Sequence, residues 1–405
     1  MTRVNPEEVG LDGHKLSRID DLFKNCVGSD PVKKEIPGIG VRIIRKGKIA
    51  FDNYYGFIDA EESAPVTEDS VFRVYSMTKP VVSAAAMKLF EQGAFTLNDP
   101  VKLYIPAFND MKVLKTLNGD SMETEPAKTD ITVRHLLTMT SGLSYGFFPE
   151  TDKLDACYMQ EMFNDFPGTR SSEFTDEEFV DRLGDMPLAF QPGTDYRYGF
   201  SMDVIGRLIE VVSGMSLSDY LESEIFIPLG MNDTGFFVTP EQQSRLTKLY
   251  SYYGDIREEA SGLIDHSAKS GFQSGGGGLV STTGDYSKFC MMLLNKGTYG
   301  GAEIMGRKTV DLMTANHLSG RAFETFFGTD TPGYGYGLGV RTLIEPAKAA
   351  INGSPGEFGW SGAAGTWVAV DPMEDLCALY MVQSFPSDYY PLRRKFVQIL
   401  YSALR

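Results

Sequence analysis

The chain predicts an α+β fold, in which a mainly antiparallel sheet is flanked by helices from both termini and carries an inserted helical domain. Three observations lead there. Residues 37 to 59 alternate as a β-hairpin, the chain turns β-rich again after Tyr334 and closes in a helix, and the long middle mixes helical patterns with polar loops. The boundaries that follow are 1–104 with 316–405 for a discontinuous sheet domain and 105–315 for the mainly helical one. At 405 residues and 42% hydrophobic, the chain can bury a full-sized core.

Taken in order, residues 12 to 28 read as an amphipathic helix, and VRIIRKGKIAFDNYYGF places Lys46-Gly47 between two β-rich runs, a hairpin signal. From Ser76 to Gln92 the pattern VVSAAAMKLFEQ is small or apolar on nearly every face and stops at Gly93, as expected of a centrally buried helix. In the middle, ITVRHLLTMT, TDEEFVDRL and SMDVIGRLIEVVSG read as helices, the second opened by Thr175 and Glu178 as a capping box. YGYGLGVRTLI, AGTWVAVDP and LCALYMVQS return to strand, and Tyr390 to Leu404 forms the closing helix. No segment repeats with a period of 20 to 50 residues.

Charge and composition exclude several functions. With 54 acidic against 38 basic side chains the formal net charge is −16, which repels nucleic acid and anionic membrane surfaces. Met1 to Leu16 holds no apolar run suited to a signal peptide, and no stretch approaches a membrane span, so a soluble, cytoplasmic protein is expected. Cys26, Cys157, Cys290 and Cys377 lie far apart, which predicts reduced, mostly buried thiols. With no HExxH, paired-His or EF-hand spacing, neither a metal nor another cofactor is called for.

Within VYSMTKPVV, Ser76 and Lys79 stand three residues apart at the head of the apolar helix. Ser-x-x-Lys is expected about once or twice by chance in a chain of this length, so the pair counts only through its context. Residues three apart share a helix face, and the helix start puts the Ser76 N–H where a growing negative charge would be stabilised. The bland alternative is a capping serine with a solvated lysine, yet a solvated lysine is out of place on so apolar a helix. A lysine base must be partly neutral near pH 7, which burial favours, and a phenol would complete a Ser-Lys-Tyr relay. Tyr198 precedes a helix start in PGTDYRYGF; Tyr196 is its competitor, and spacing alone does not separate them.

Two further motifs are read as decoys. Ser144 sits in Gly142-Leu143-Ser144-Tyr145-Gly146, a G-x-S-x-G match without the strand-to-helix context that an elbow needs, and we read it as a turn residue lining a cleft. Of the histidines after it, His266, beside Asp265, and His317 lack a catalytic context. Gly275 to Gly278 lacks the Lys-Ser/Thr tail of a phosphate cradle, so close packing or a flexible cleft wall is expected.

The ordered blocks SMTKP, ITVRHLLTMTSGLSYGF, PGTDYRYGFSMDVIGRLIE, GGGGLVSTTGDYSKF, GYGLGV and WSGAAGTWVAVDP resemble the serine β-lactamase-related family across nearly the whole chain, and within it the family VIII carboxylesterases. The resemblance implies the serine β-lactamase/DD-peptidase-like fold, with Ser76 as nucleophile, Lys79 as base or relay and Tyr198 as the relay tyrosine. It implies an oxyanion site from the Ser76 and Ala363 N–H groups. Phe200 falls where β-lactamases carry Asn, and Trp360-Ser361-Gly362 replaces Lys-Thr-Gly. An indole cannot present the cation that meets a penicillin carboxylate, so Trp360 is expected to be an apolar wall. Tyr145, Phe200, Trp360, Ser361 and Gly362 are the expected substrate contacts, and the expected substrate is an uncharged small-molecule ester with an apolar acyl group. Acyl transfer, amide or weak β-lactam hydrolysis on the same site are rivals, as is a silent binding or sensor protein.

Overall fold

Lys46 and Gly47 both take positive φ, 52° and 71°, which suits the tight turn that joins two right-twisted strands. They connect β1 (Gly38–Arg45) to β2 (Lys48–Gly56), paired antiparallel with Arg45 opposite Lys48. The structure, a computed structural model, describes residues 1–28, 35–118, 121–164, 175–253, 256–260, 266–327, 331–385 and 390–405. The remaining five strands of the sheet come from the C-terminal part: β3 (Tyr334–Tyr336), β4 (Arg341–Leu343), β5 (Phe358–Ser361), β6 (Trp367–Asp371) and β7 (Leu376–Met381). Their order is β3-β4-β5-β6-β7-β1-β2, and every pair is antiparallel. β1 is therefore interior, with Arg42 opposite Leu379 of β7 and opposite Asp52 of β2.

Both faces of this sheet are covered, which explains why its central strands are apolar at successive positions. In β7, Leu376, Ala378 and Tyr380 join one core while Cys377, Leu379 and Met381 join the other. The first core is closed by α1 (Gly13–Lys24), capped by Asp12, and by the C-terminal helix Tyr390–Ser402. Phe23 is its keystone, with ring centroids 5.6 Å from Tyr55, 5.6 Å from Tyr380 and 5.9 Å from Phe396.

The second core holds α2 (Thr78–Glu91), buried along most of its length, which ends as expected at Gly93, φ 79°. Pro80 is tolerated because the N–H groups of a first turn have no intrahelical partner. α2 packs against α4 (Ser201–Ser213), and α3 (Asp176–Gly184) packs on α4 in turn. Thr175 and Glu178 form the expected capping box at the start of α3. The helix expected in ITVRHLLTMT is confined to Val133–Leu137, because Met139 turns to φ 57°. Helix Thr283–Leu294 lies inside the segment expected to be a helical lobe, yet it packs on β1, β6 and β7. The middle segment also contains hairpins, Lys112–Asn118 with Ser121–Pro126 and Tyr250–Tyr253 with Ile256–Glu259.

All four cysteines are free thiols; Cys290 and Cys377 are buried, whereas Cys26 and Cys157 are only half-buried, so fewer thiols are buried than expected. Among the described residues no helix is long and apolar enough to cross a membrane.

Truncating Phe23 to Ala should remove about 3–5 kcal/mol from the sheet's terminal-helix face. Urea unfolding followed by tryptophan fluorescence checks this; an unchanged midpoint would show that Phe23 is not the keystone.

Candidate active site

The turn carrying Ser76 is held between two remote segments. Val71–Arg73 pairs antiparallel with Val280–Thr282, and Tyr75 then takes φ 42°, a left-handed conformation that costs a non-glycine residue on the order of 1 kcal/mol. The chain folds into the 3-10 turn Tyr75–Met77 and runs straight into α2. Ser76 thus stands where a helix begins, and Lys79 lies one turn on. The Lys79 side chain is fully buried. Its Nζ donates to Ser76 Oγ at 3.0 Å and to the Gly276 carbonyl at 2.6 Å, and it makes no ion pair among the described residues. Instead it lies over the faces of Tyr198 and Tyr145, 4.5 and 5.3 Å from the ring centroids, where the ring quadrupoles attract a cation.

Spacing alone does not separate Tyr196 from Tyr198, but their surroundings differ. Residues 196–198 are irregular backbone outside any strand, so no strand alternation decides which way the two rings point. Tyr196 packs on Phe326 and Tyr336, whereas Tyr198 covers Lys79. Gly199 makes this possible: a Cβ there would lie 2.1 Å from the Leu143 carbonyl oxygen, so only glycine lets the two backbones meet. The Tyr198 hydroxyl accepts a hydrogen bond from Trp360 Nε1 at 3.2 Å. The indole, expected as an apolar wall, is therefore also a hydrogen-bond donor.

Trp360 and Ser361 end β5, and the chain leaves the sheet at Gly362. A Cβ on Gly362 would lie 2.4 Å from the Val74 carbonyl oxygen, two residues before Ser76. This close approach sets the Gly362–Ala363 turn beside the turn that carries Ser76. The Ala363 N–H donates to no acceptor among the described residues, and the Ser76 N–H lies in a first turn, where such groups lack intrahelical partners.

Tyr145 joins the two aromatic groups. Its ring stacks on Phe147 at 4.9 Å and meets Tyr198 and Phe200 edge-on at 5.3 and 4.6 Å. Phe200, an expected substrate contact, is buried behind Tyr145 and packs on Phe179 of α3 at 5.2 Å, so it supports the wall rather than forming its surface. Phe147 is 54% exposed and extends the aromatic surface outward; its place in an irregular loop gave no periodic signal.

Ser144 is buried in an ion-pair network. Its hydroxyl donates to Asp155 and accepts from Arg197 Nε at 2.9 Å, and Arg197 Nη2 reaches Asp155 and Asp152 at 2.6 and 2.7 Å. Burial pushes the Asp155 carboxyl up, but the Ser144 and Arg197 hydrogen bonds outweigh it, so the group stays below the ordinary carboxylate range. Ser144 is thus tied to the residue before Tyr198 instead of to a histidine. The His266 ring meets the Gly278 carbonyl and the His317 ring the Leu312 carbonyl; Asp265 lies outside the described residues. In the glycine run, a Cβ on Gly275 would lie 2.3 Å from the Met202 carbonyl oxygen, so close packing accounts for it.

Terminal helices cover one face of the sheet, and helix Thr283–Leu294 with α2 beside it covers the other, which is the beta-lactamase and penicillin-binding-protein fold. A beta-lactamase family model matches residues 19–401, and the chain belongs to that family. It is 32% identical to an uncharacterized protein of Mycobacterium tuberculosis over 87% of this chain and 86% of that one. It is 27% identical to Esterase EstB of Burkholderia gladioli, over 94% of each. The solved structure of EstCE1, a hydrolase with promiscuous acyltransferase activity, superposes with a TM-score of 0.80 over 96% of this chain and 99% of that one, at 24% identity.

Two outcomes follow from this geometry. A carboxylate held below its ordinary value contributes stability above about pH 4 that is lost as pH falls through its lower folded value. Asp155→Asn should therefore destabilise the protein at pH 7 and flatten the acid side of its stability profile, as thermal melts at stepped pH would read. Trp360→Phe keeps an aromatic ring but removes the N–H donor to Tyr198; urea unfolding should show about 1 kcal/mol less stability, the worth of one hydrogen bond.

Proposed function

We propose that the protein is a serine carboxylesterase acting on uncharged short- to medium-chain esters through an acyl-enzyme on Ser76. The observation that carries this reading is the buried Lys79 amine bonded to the Ser76 hydroxyl under the Tyr198 ring. Such a pair is a nucleophile with its proton acceptor at hand. Ser76 Oγ attacks the ester carbonyl, its proton passes to the Lys79–Tyr198 pair, and the oxyanion is met by the Ser76 and Ala363 N–H groups. The alcohol leaves with a proton returned through Tyr198, and water then hydrolyses the acyl-enzyme by the same route.

The esterase reading over β-lactam or D-Ala-peptide hydrolysis is supported by Trp360, which puts an indole where a carboxylate-binding cation would stand. The aromatic surface of Tyr145, Phe147, Tyr198 and Trp360 suits an apolar group of the substrate. Similarity to Esterase EstB fits this reading, and the promiscuous acyltransferase activity of EstCE1 fits acyl transfer as a second fate of the same intermediate.

Hydrolysis of p-nitrophenyl esters from acetate to decanoate, alongside nitrocefin, tests the assignment. The expected result is ester turnover with little nitrocefin cleavage, lost in Ser76→Ala and largely kept in Ser144→Ala. Faster release of p-nitrophenol with an added alcohol, and an ester of that alcohol as product, would favour acyl transfer. A folded protein that neither turns over these esters nor labels with a serine-directed phosphonate would favour the binding or sensor reading.

A further inference from the structure

The helix that begins just after Tyr198 carries a buried acid that the chemistry above does not use. Asp203, in the first turn of α4, is 1% exposed. Its Oδ1 accepts from Ser274 Oγ at 2.6 Å and from the Gly276 N–H at 3.1 Å. Its Oδ2 has no hydrogen-bond partner among the described residues. The same Gly276 gives its carbonyl to Lys79 Nζ at 2.6 Å. One glycine thus takes the carboxylate on its N–H and the amine on its C=O. That glycine has no room for a side chain: a Cβ would lie 2.4 Å from the Tyr145 hydroxyl and 2.6 Å from Asp203 Oδ2.

A buried ammonium without a direct ion pair needs compensating charge nearby, because desolvation otherwise makes it costly. We propose that Asp203 is the buried counter-charge to Lys79, a positioning residue that acts through the Gly276 peptide to hold the base against Ser76. The proposal rests on the reading of Ser76 and Lys79 as nucleophile and base. The other groups facing this pair do not supply the charge. Tyr145 and Tyr198 are phenols, and burial pushes the Tyr145 hydroxyl well up. Asp176 of α3 accepts from the Gln273 N–H at 3.1 Å, and burial together with Glu210 pushes its carboxyl well up. Arg207 is engaged with Glu177 and Glu210 at 3.0 and 3.2 Å. Burial raises the Asp203 carboxyl above its ordinary value as well, and the Ser274 hydrogen bond and the positive charge of Lys79 offset part of that rise; what sets Asp203 apart is its direct hydrogen bond to the Gly276 peptide that holds Lys79.

Asp203→Asn keeps the shape and the Oδ1 acceptor and removes the charge. When Ser76 gives up its proton the base becomes an ammonium, so losing the counter-charge weakens the base. The expected result is kcat lowered by about tenfold at pH 7, less than the roughly 10²–10⁴-fold that a general base itself supplies, KM within about twofold, and the acid limb of kcat/KM moved to lower pH. A structural role alone would lower the melting temperature without moving that limb. An Asn variant with the wild-type kcat and limb overturns the proposal. Should Asp203→Asn fail to fold, Ser274→Ala removes one donor to the carboxylate and should move the limb the same way by less; an unmoved limb there overturns the proposal as well. Wild-type enzyme assayed in parallel separates the two claims. Wild-type turnover with labelling at Ser76 leaves only the role of Asp203 at stake, whereas an inert, unlabelled wild type overturns both readings.

Discussion

A lysine amine buried beside a serine hydroxyl is the constraint around which the rest of the molecule is arranged. Lys79 belongs to a helix that is apolar almost throughout, so its charge cannot reach water by bending its stem outward. Everything that stabilises it must be brought to it: the Gly276 carbonyl from one side, two tyrosine faces from another, and the Ser76 hydroxyl one turn away. Apart from Ser76, these partners come from segments between 66 and 197 residues distant in the chain. The site is therefore a product of the tertiary fold, and the helix alone would not hold it.

Close backbone approach is how the fold makes those distant segments meet. Gly199, Gly276 and Gly362 each occupy a place where a Cβ would strike an atom of another segment at under 2.5 Å. Each joins one wall to its neighbour: the Tyr198 turn to Leu143, the glycine run to Tyr145 and Asp203, and the end of β5 to Val74. Side chains then lock what the glycines permit. Arg197 fixes the approach to Tyr198 through Ser144, Asp152 and Asp155, so the serine of the G-x-S-x-G match is part of the clamp on the residue before Tyr198.

The sequence was most legible where local rules decide structure. The Lys46-Gly47 hairpin, the apolar helix ending at Gly93 and the capping box at Thr175 follow from turn chemistry, periodicity and capping, which act over a few residues. Extents were less legible: the helix over 12 to 28 covers Gly13–Lys24, and the one over ITVRHLLTMT covers five residues, because chain reversals beyond the periodic run end them. What spacing could not decide was set by tertiary contacts. Tyr196 and Tyr198 differ only in what packs on them, Phe200 turned inward because Tyr145 and Phe179 bracket it, and Ser144 acquired its partners from residues 155 and 197. Asp203 gave no signal of its own, since an acid in the first turn of a helix is the commonest of placements.

Trp360 ties these threads to the choice of substrate. The indole performs two tasks that pull in different chemical directions, packing its apolar ring against Tyr198 and Tyr336 and giving a polar N–H to the Tyr198 hydroxyl. A lysine at that position could also donate to the phenol, but it would add a second cation close to Lys79, whose charge the surroundings already strain to balance. With tryptophan, the phenol keeps a donor and the local charge does not change. The same exchange removes the attraction for an anionic substrate, and a net charge of −16 opposes such a substrate at longer range. On the proposed reading, relay and selectivity are thus linked: the residue that orients Tyr198 without adding charge is also the one that leaves the cleft suited to neutral esters.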